Sequence, residues 1–242
     1  MSGHSHARTI RHQKNLTDQK RGQMFSKMAR VISVAVKEGG PNPETNNKLR
    51  VAIEQAKQFN LPKENIERAI KQATGGGEET NLEEVFYEAY GPGGIALIIE
   101  GITDNKNRAL GEVKQILNQY NGKLVAEGAV KWMFERKGCI TVNCKLQIED
   151  LQNKEKLEMT VIEAGAEDLY WYNDSLDIYT DIKDLEKVKK NLEEKGLKIE
   201  SISLDWKPKE MIDLKEKEAC LKLFEALDEL ESVQEIYSNL KV

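Results

Sequence analysis

All three histidines of the 242-residue chain, His4, His6 and His12, fall within its first twelve positions. Imidazole is the side chain whose charge and proton change hands near neutral pH, so such a group can ligate a metal, move a proton or donate to an anion. A metal site needs three or four ligands in fixed geometry, each with its own hydrogen-bonded support. Here Asp18 is the one nearby carboxylate, and Cys139, Cys144 and Cys220 are remote. Neither a metal nor any other cofactor is therefore expected. What surrounds the histidines is positive charge: Arg8, Arg11, Lys14, Lys20, Arg21, Lys27, Arg30 and Lys37. With His4, His6 and His12 these form a predicted set of hydrogen-bond donors to phosphate and ribose hydroxyls.

Two other motifs carry chemically useful residues. Gly91-Pro92-Gly93-Gly94 matches no phosphate-cradling pattern and joins two predicted strands, so a tight turn is the better reading. Asp104-Asn105-Lys106-Asn107-Arg108 offers Asp104, Asn107 and Arg108 as a ligand or interface site, against the ordinary use of Asp and Asn to cap a helix. The cap is preferred on position. No nucleophile elbow, zinc-protease helix or Cys-His pair is present, and the chain is not expected to be an enzyme.

Charge sharpens the first set. The chain carries a net charge of -5, which by itself disfavours a polyanionic partner. Residues 1–77, however, hold 14 basic and 6 acidic side chains, whereas the remainder holds 22 basic and 35 acidic. A basic arm on an acidic body is the arrangement of a polyanion-binding protein. Three cysteines without Cys-x-x-Cys spacing fit a reducing compartment. No apolar run approaches the ~20 residues of a membrane span, and the first residues lack a secretory signal. A cytoplasmic location without a membrane partner is expected.

The elements that must position these groups follow from periodicity. Met24, Phe25, Met28, Val31, Ile32, Ala35 and Val36 recur at helical spacing from Thr17 to Lys37 and stop at Gly39-Gly40. At about 100° per residue, Lys20, Lys27, Arg30 and Lys37 gather opposite that stripe while Arg21 does not, which predicts a solvent-facing cationic row. A second helix is predicted to open at Asn42-Pro43 and end at Asn60, and a third to run from Pro62 to Gly75-Gly76-Gly77. Phe25 and Phe59, the aromatics of this segment, read as inward-facing, so backbone or shape recognition suits it better than base stacking.

Beyond the polar tract ending at Asn81 the pattern alternates. A hairpin is predicted across Gly91–Gly94, followed by a helix from Thr103 or Asn105 to Tyr120 and a strand from Ala129 to Phe134. A second set has strands near 140–142, 169–172, 176–179 and 199–204, with helices near 157–164 and 185–195. A helix over 215–230 and a strand over 233–237 close the chain. Element counting returns that last pair to the first sheet and makes the middle set an insertion. The predicted fold is α+β: a three-helix domain over 1–77, a linker over 78–81, a ferredoxin-like α/β domain from 82–137 plus 209–242, and a second inserted at 138–208.

Longer motifs resemble a known family. Gly3-His4-Ser5, Lys20-Arg21-Gly22, Gly39-Gly40-Pro41-Asn42-Pro43, Leu61-Pro62-Lys63-Glu64-Asn65-Ile66, Tyr87-Glu88-Ala89-Tyr90-Gly91-Pro92-Gly93-Gly94, Thr103-Asp104-Asn105-Lys106-Asn107-Arg108 and Phe134-Glu135-Arg136-Lys137-Gly138 are similar, in order, to the signatures of the YebC/PmpR family. The likeness spans essentially the whole chain. It departs at His6-Ala7, where family members commonly have Lys-Trp. The resemblance implies a cytoplasmic three-domain protein. Bacterial members are described as DNA-binding transcriptional regulators, some act at the ribosome, and mitochondrial relatives are translational activators of cytochrome c oxidase. Two expectations follow: a DNA-binding regulator using the basic segment on duplex phosphates, or a ribosome-associated translation factor using it on ribosomal RNA.

Overall fold

The computed structural model describes residues 18–76, 81–144, 154–172 and 175–241. These hold seven α-helices and eight β-strands, the latter in two four-stranded sheets whose pairings are all antiparallel. They divide into two compact units, one of residues up to 132 together with 215–238, the other of residues 133–214 with those from 239 onward.

The first unit starts with helices α1 (Asp18–Gly39), α2 (Asn47–Gln58) and α3 (Lys63–Lys71). Helix α1 packs on both others, burying Met24, Met28 and Ile32 against Leu49, Ala52 and Ile66. The start of α2 differs from the expectation at Pro43. Residues 42–46 form a turn in which the Asn42 carbonyl accepts from the amides of Thr45 (3.2 Å) and Asn46 (2.9 Å). Asn46 is then the cap: its Oδ1 accepts from the Leu49 amide at 3.0 Å, and its Nδ2 donates to the carbonyls of Ala35 (2.7 Å) and Gly40 (2.8 Å). One buried amide thus starts α2 and fastens it to the end of α1.

The sheet of this unit has the order β3-β1-β2-β8, built from β1 (Glu83–Tyr90), β2 (Ala96–Thr103), β3 (Lys123–Val125) and β8 (Val233–Ser238). The β1–β2 connection is a 3-10 turn over Pro92–Gly94, with Gly93 at φ 69° and Gly94 at φ 77°, values that only glycine adopts without strain. Helices α4 (Lys106–Gln119) and α7 (Glu218–Asp228) lie against one another and the sheet. Strand β2 is shielded along nearly its whole length, and a Cβ on Gly101 would stand 2.3 Å from the Ser232 carbonyl oxygen. That close approach lets the Ile102 amide donate to Ser232 at 2.8 Å where the β2–β8 register shifts.

The strand predicted over Ala129–Phe134 is not one. Residues 131–133 form a 3-10 turn, and β4 (Phe134–Asn143) begins only after it. Val130 and Phe134 are buried while Trp132 points outward, so the 130, 132, 134 alternation read from the sequence is broken.

The second unit contains β4, α5 (Lys154–Glu163), β5 (Asp168–Tyr172), β6 (Ser175–Thr180), α6 (Leu185–Glu194) and β7 (Ile199–Pro208). Its sheet has the order β5-β6-β4-β7, and the strand-helix-strand-strand-helix-strand sequence is the ferredoxin-like one. Gly138 in β4 admits Leu185 of α6, whose side chain would lie 2.9 Å from an added Cβ.

Candidate nucleic-acid interface

His4, His6, Arg8, Arg11, His12 and Lys14 lie outside the described residues. Of the other predicted contacts, Lys20, Arg21 and Lys37 are exposed on α1. Two are not available as expected. Lys27 is 3% exposed: its ammonium donates to the Asp228 carboxylate at 2.9 Å and to the Asp228 carbonyl at 2.5 Å. Arg30 is half-buried and pairs with Glu231 at 2.6 Å, with longer bonds of 3.4 Å to the carbonyls of Ile102 and Glu231.

The physical reason is that α1 is covered twice. One side meets α2 and α3, and the Lys27–Arg30 line meets the acidic end of α7 and the turn after it. One sequence signal could have found this. Val34 stands one heptad beyond Lys27 on the same line and is 4% exposed, yet it is not part of the three-helix core. An apolar residue on the supposed solvent face marks a second buried stripe.

Cations outside the predicted set extend the exposed surface. Arg50 and Lys57, seven residues apart on α2, are exposed, as are Lys63, Arg68 and Lys71 on α3. Lys48 is instead drawn into a bridge between Glu38 and Glu84, at 2.7 Å from each. Burial works to lower its pKa, but the hydrogen bonds and charges of the two carboxylates together outweigh it and raise it.

Asp104, Asn107 and Arg108 are brought together at the start of α4, and all three are exposed. The Asn105 side chain is the cap, accepting the Arg108 amide at 3.1 Å, and Thr103 Oγ1 accepts the Asn105 amide at 3.0 Å. Arg108 turns back onto Asp104 at 2.5 Å and lies 4.0 Å from Glu112. The local charges satisfy one another, and the motif works as a helix start. Likewise the amides of Gly91 and Gly94 in the glycine-rich turn donate within it, to the carbonyls of Ile95 (2.8 Å) and Gly91 (3.1 Å), and the Pro92 carbonyl accepts from the Cys220 thiol at 3.5 Å.

A group that sequence reasoning missed lies on β1. Glu88 is 2% exposed, and its carboxylate accepts the amides of Gly128 (2.6 Å), Val130 (2.7 Å) and Lys131 (2.8 Å). Burial works to raise its pKa, but the three amides and the Lys131 ammonium outweigh it and hold the carboxyl below the ordinary 4.5. The 128–131 loop therefore takes its hydrogen bonds from a side chain rather than from a neighbouring strand, which explains the missing strand there.

The second unit has its own titratable cluster. Asp168 receives the Tyr170 hydroxyl at 3.0 Å and the Lys207 ammonium. Burial, then the Asp168 charge, push the Tyr170 hydroxyl up to about 12, so it serves as a donor and not as a base near neutrality. Among the described residues no group of three or more His, Cys, Asp or Glu side chains could hold a metal ion, and no helix is long and apolar enough to cross a membrane.

Comparison with known proteins adds the following. Residues 5–76 match the model of the TACO1/YebC protein N-terminal domain, and residues 82–240 that of the TACO1/YebC second and third domain. A protein of Persephonella marina is 45% identical over 246 residues, covering 100% of this chain and 96% of its own. One of Aquifex aeolicus is 44% identical over 245 residues with the same coverage. Each is called a probable transcriptional regulatory protein. The crystal structure of a conserved hypothetical protein from Aquifex aeolicus superposes with a TM-score of 0.85 at 44% identity, over 96% of this chain and 95% of that one.

Proposed function

Since the chain belongs to the TACO1/YebC family, we propose that it is a nucleic-acid-binding regulator of gene expression, and specifically a DNA-binding transcriptional regulator that grips duplex phosphates through its N-terminal helical segment. The observation that carries this reading is the charge division: a surplus of eight positive charges on residues 1–77 against a deficit of thirteen on the rest. Lys20, Arg21, Lys37, Arg50 and Lys57 are exposed members of that surplus. Arg8, Arg11 and Lys14 add to it, with His4, His6 and His12 as further donors, and the acidic body is oriented away from the polyanion by repulsion. On this reading the chain comprises a helical domain (1–77), a linker (78–81), an α/β domain (82–137 with 209–242) and an inserted α/β domain (138–208). It works in the cytoplasm as a binding protein and not as an enzyme.

The test is the salt dependence of duplex binding. Each phosphate contact contributes about 0.9 to the slope of log K against log salt. Removing Lys20, Arg21 and Lys37 together should flatten the slope by about two to three, and an unchanged slope defeats the reading.

One observation favours a second reading, a ribosome-associated translation factor that uses the same segment on ribosomal RNA. Helix α1 is covered along the Lys27–Arg30 line as well as by α2 and α3, so it does not project as a groove-reading helix does. Cosedimentation with ribosomes at low salt separates the two, since a duplex-specific regulator stays at the top of the gradient.

A further inference from the structure

The chain has three tryptophans, and the structure treats them differently. The Trp171 ring faces the Lys154 ammonium at 4.6 Å, and its indole N–H donates to Glu158 at 2.7 Å. The Trp206 ring faces the Arg136 guanidinium at 5.0 Å. Trp132 has no such cover: it is 63% exposed, more than any other large apolar side chain among the described residues.

A side chain of this size ordinarily lowers its free energy by folding onto apolar surface. Here the loop that carries it is pinned with the ring outward. The Glu88 carboxylate fixes the amides of Gly128, Val130 and Lys131, Gly128 takes φ 86°, and the indole N–H of Trp132 donates to the Ala129 carbonyl at 3.0 Å. With its one polar atom engaged inside the loop, the indole offers a partner only its ring. Next to it Lys131 is exposed, its ammonium 5.3 Å from the Phe86 ring centroid.

We propose that Trp132 is a stacking platform for an unpaired nucleobase, with Lys131 the adjoining cation for that nucleotide's phosphate. The assignment rests on the nucleic-acid reading above and extends it to single-stranded polymer. A rigid exposed aromatic beside a lysine is the unit from which single-strand grooves are built, because every base has a π-face. A protein partner is disfavoured by the surroundings. A hot-spot tryptophan sits within other apolar surface, whereas the exposed neighbours in this loop are Ala126, Glu127, Gly128 and Lys131. The other exposed large apolar residues of the unit, Leu110 and Leu221, belong to helices α4 and α7.

The experiment measures anisotropy of a fluorescein-labelled twelve-nucleotide oligothymidylate and of a twelve-base-pair duplex against the full chain and two variants. Trp132→Ala should weaken oligothymidylate binding by about tenfold or more, the loss of one stacked base, with duplex binding within about twofold. Trp132→Phe should keep most of the affinity. A single-strand affinity unchanged in Trp132→Ala overturns the proposal, as does an equal loss on both ligands. Altered self-association with oligothymidylate binding intact gives the platform to a protein and overturns it too. If the unmodified chain binds neither ligand, the nucleic-acid reading itself fails, an outcome distinct from the others. Unchanged circular dichroism and melting of both variants, expected for so exposed a position, show that the fold is kept.

Discussion

The Lys27 ammonium lies 2.9 Å from the Asp228 carboxylate, joining residues 201 positions apart, with the two side chains 4% and 17% exposed. This pair ties the first helix of the described residues to the last. Removing one member leaves the other charge buried without its counterion, which costs about 3–5 kcal/mol, whereas an apolar replacement of both is close to neutral. Asp228→Ala should therefore lower the urea midpoint strongly, and the double variant Lys27→Met with Asp228→Leu should recover most of the loss. A double variant as unstable as the single one would contradict this account.

The same burial separates Lys27 from its neighbours on α1 in binding. Lys27→Met should leave the salt slope for duplex DNA where it is, and Lys37→Ala should reduce it by about 0.9. Titrations at four or five salt concentrations distinguish the two, and equal reductions would mean that Lys27 leaves Asp228 to reach phosphate.

How far the fold was legible depends on how many layers an element touches. The apolar recurrence from Met24 to Val36 located α1 because one stripe faces α2 and α3. The second stripe, Lys27, Arg30 and Val34, reads as a solvent face because two of its three members are long cations whose partners lie some 200 residues away. The hairpin of β1 and β2 and the start of α4 at Asn105 were readable from local turn and cap chemistry. Strand β3 spans only three residues, too few for alternation to show. The 128–132 loop was misread because its organising group, Glu88, sits about 40 residues earlier and has no periodic signature. Its exposed aromatic, Trp132, was lost with it.

Glu88 gives a pH-dependent prediction. Its carboxyl titrates below 4.5 when folded, so its contribution is complete above that ordinary value and is lost as pH falls through the depressed one. Glu88→Gln, which cannot accept all three amides, should destabilise by about 2–3 kcal/mol at pH 7. The gap between variant and wild type should narrow below pH 4.5. Thermal melts at pH 7 and near pH 3.5 check it, and a gap that widens in acid would reverse the sign of the argument.

Asn46 makes three hydrogen bonds from a buried amide, two of them to carbonyls at the end of α1. Loss of the cap costs about 1 kcal/mol, and the stranded carbonyls add to it, so Asn46→Ala should destabilise by about 2–3 kcal/mol. Asn46→Asp keeps the cap acceptor but sets a carboxylate oxygen against the carbonyls of Ala35 and Gly40, so at neutral pH it should be at least as unstable as Asn46→Ala in denaturant melts.

Arg108 is a contrast. Its partners Asp104 and Glu112 are exposed with it, and surface pairs of this kind contribute about 0–1 kcal/mol. Arg108→Ala should leave both the melting temperature and duplex affinity close to wild type. A pronounced binding defect would restore Asp104, Asn107 and Arg108 as a ligand site.

The pairing of β2 with β8 sets an order of events during synthesis. Leu97 must wait for Ser238 to be made, whereas β4 to β7 draw on the continuous stretch from 134 to 208. The later sheet can thus close first, leaving the apolar strand Ala96–Thr103 with one hydrogen-bonding edge open meanwhile. In that interval the open edge is a template for pairing with another chain, which a chaperone that covers strand edges would block.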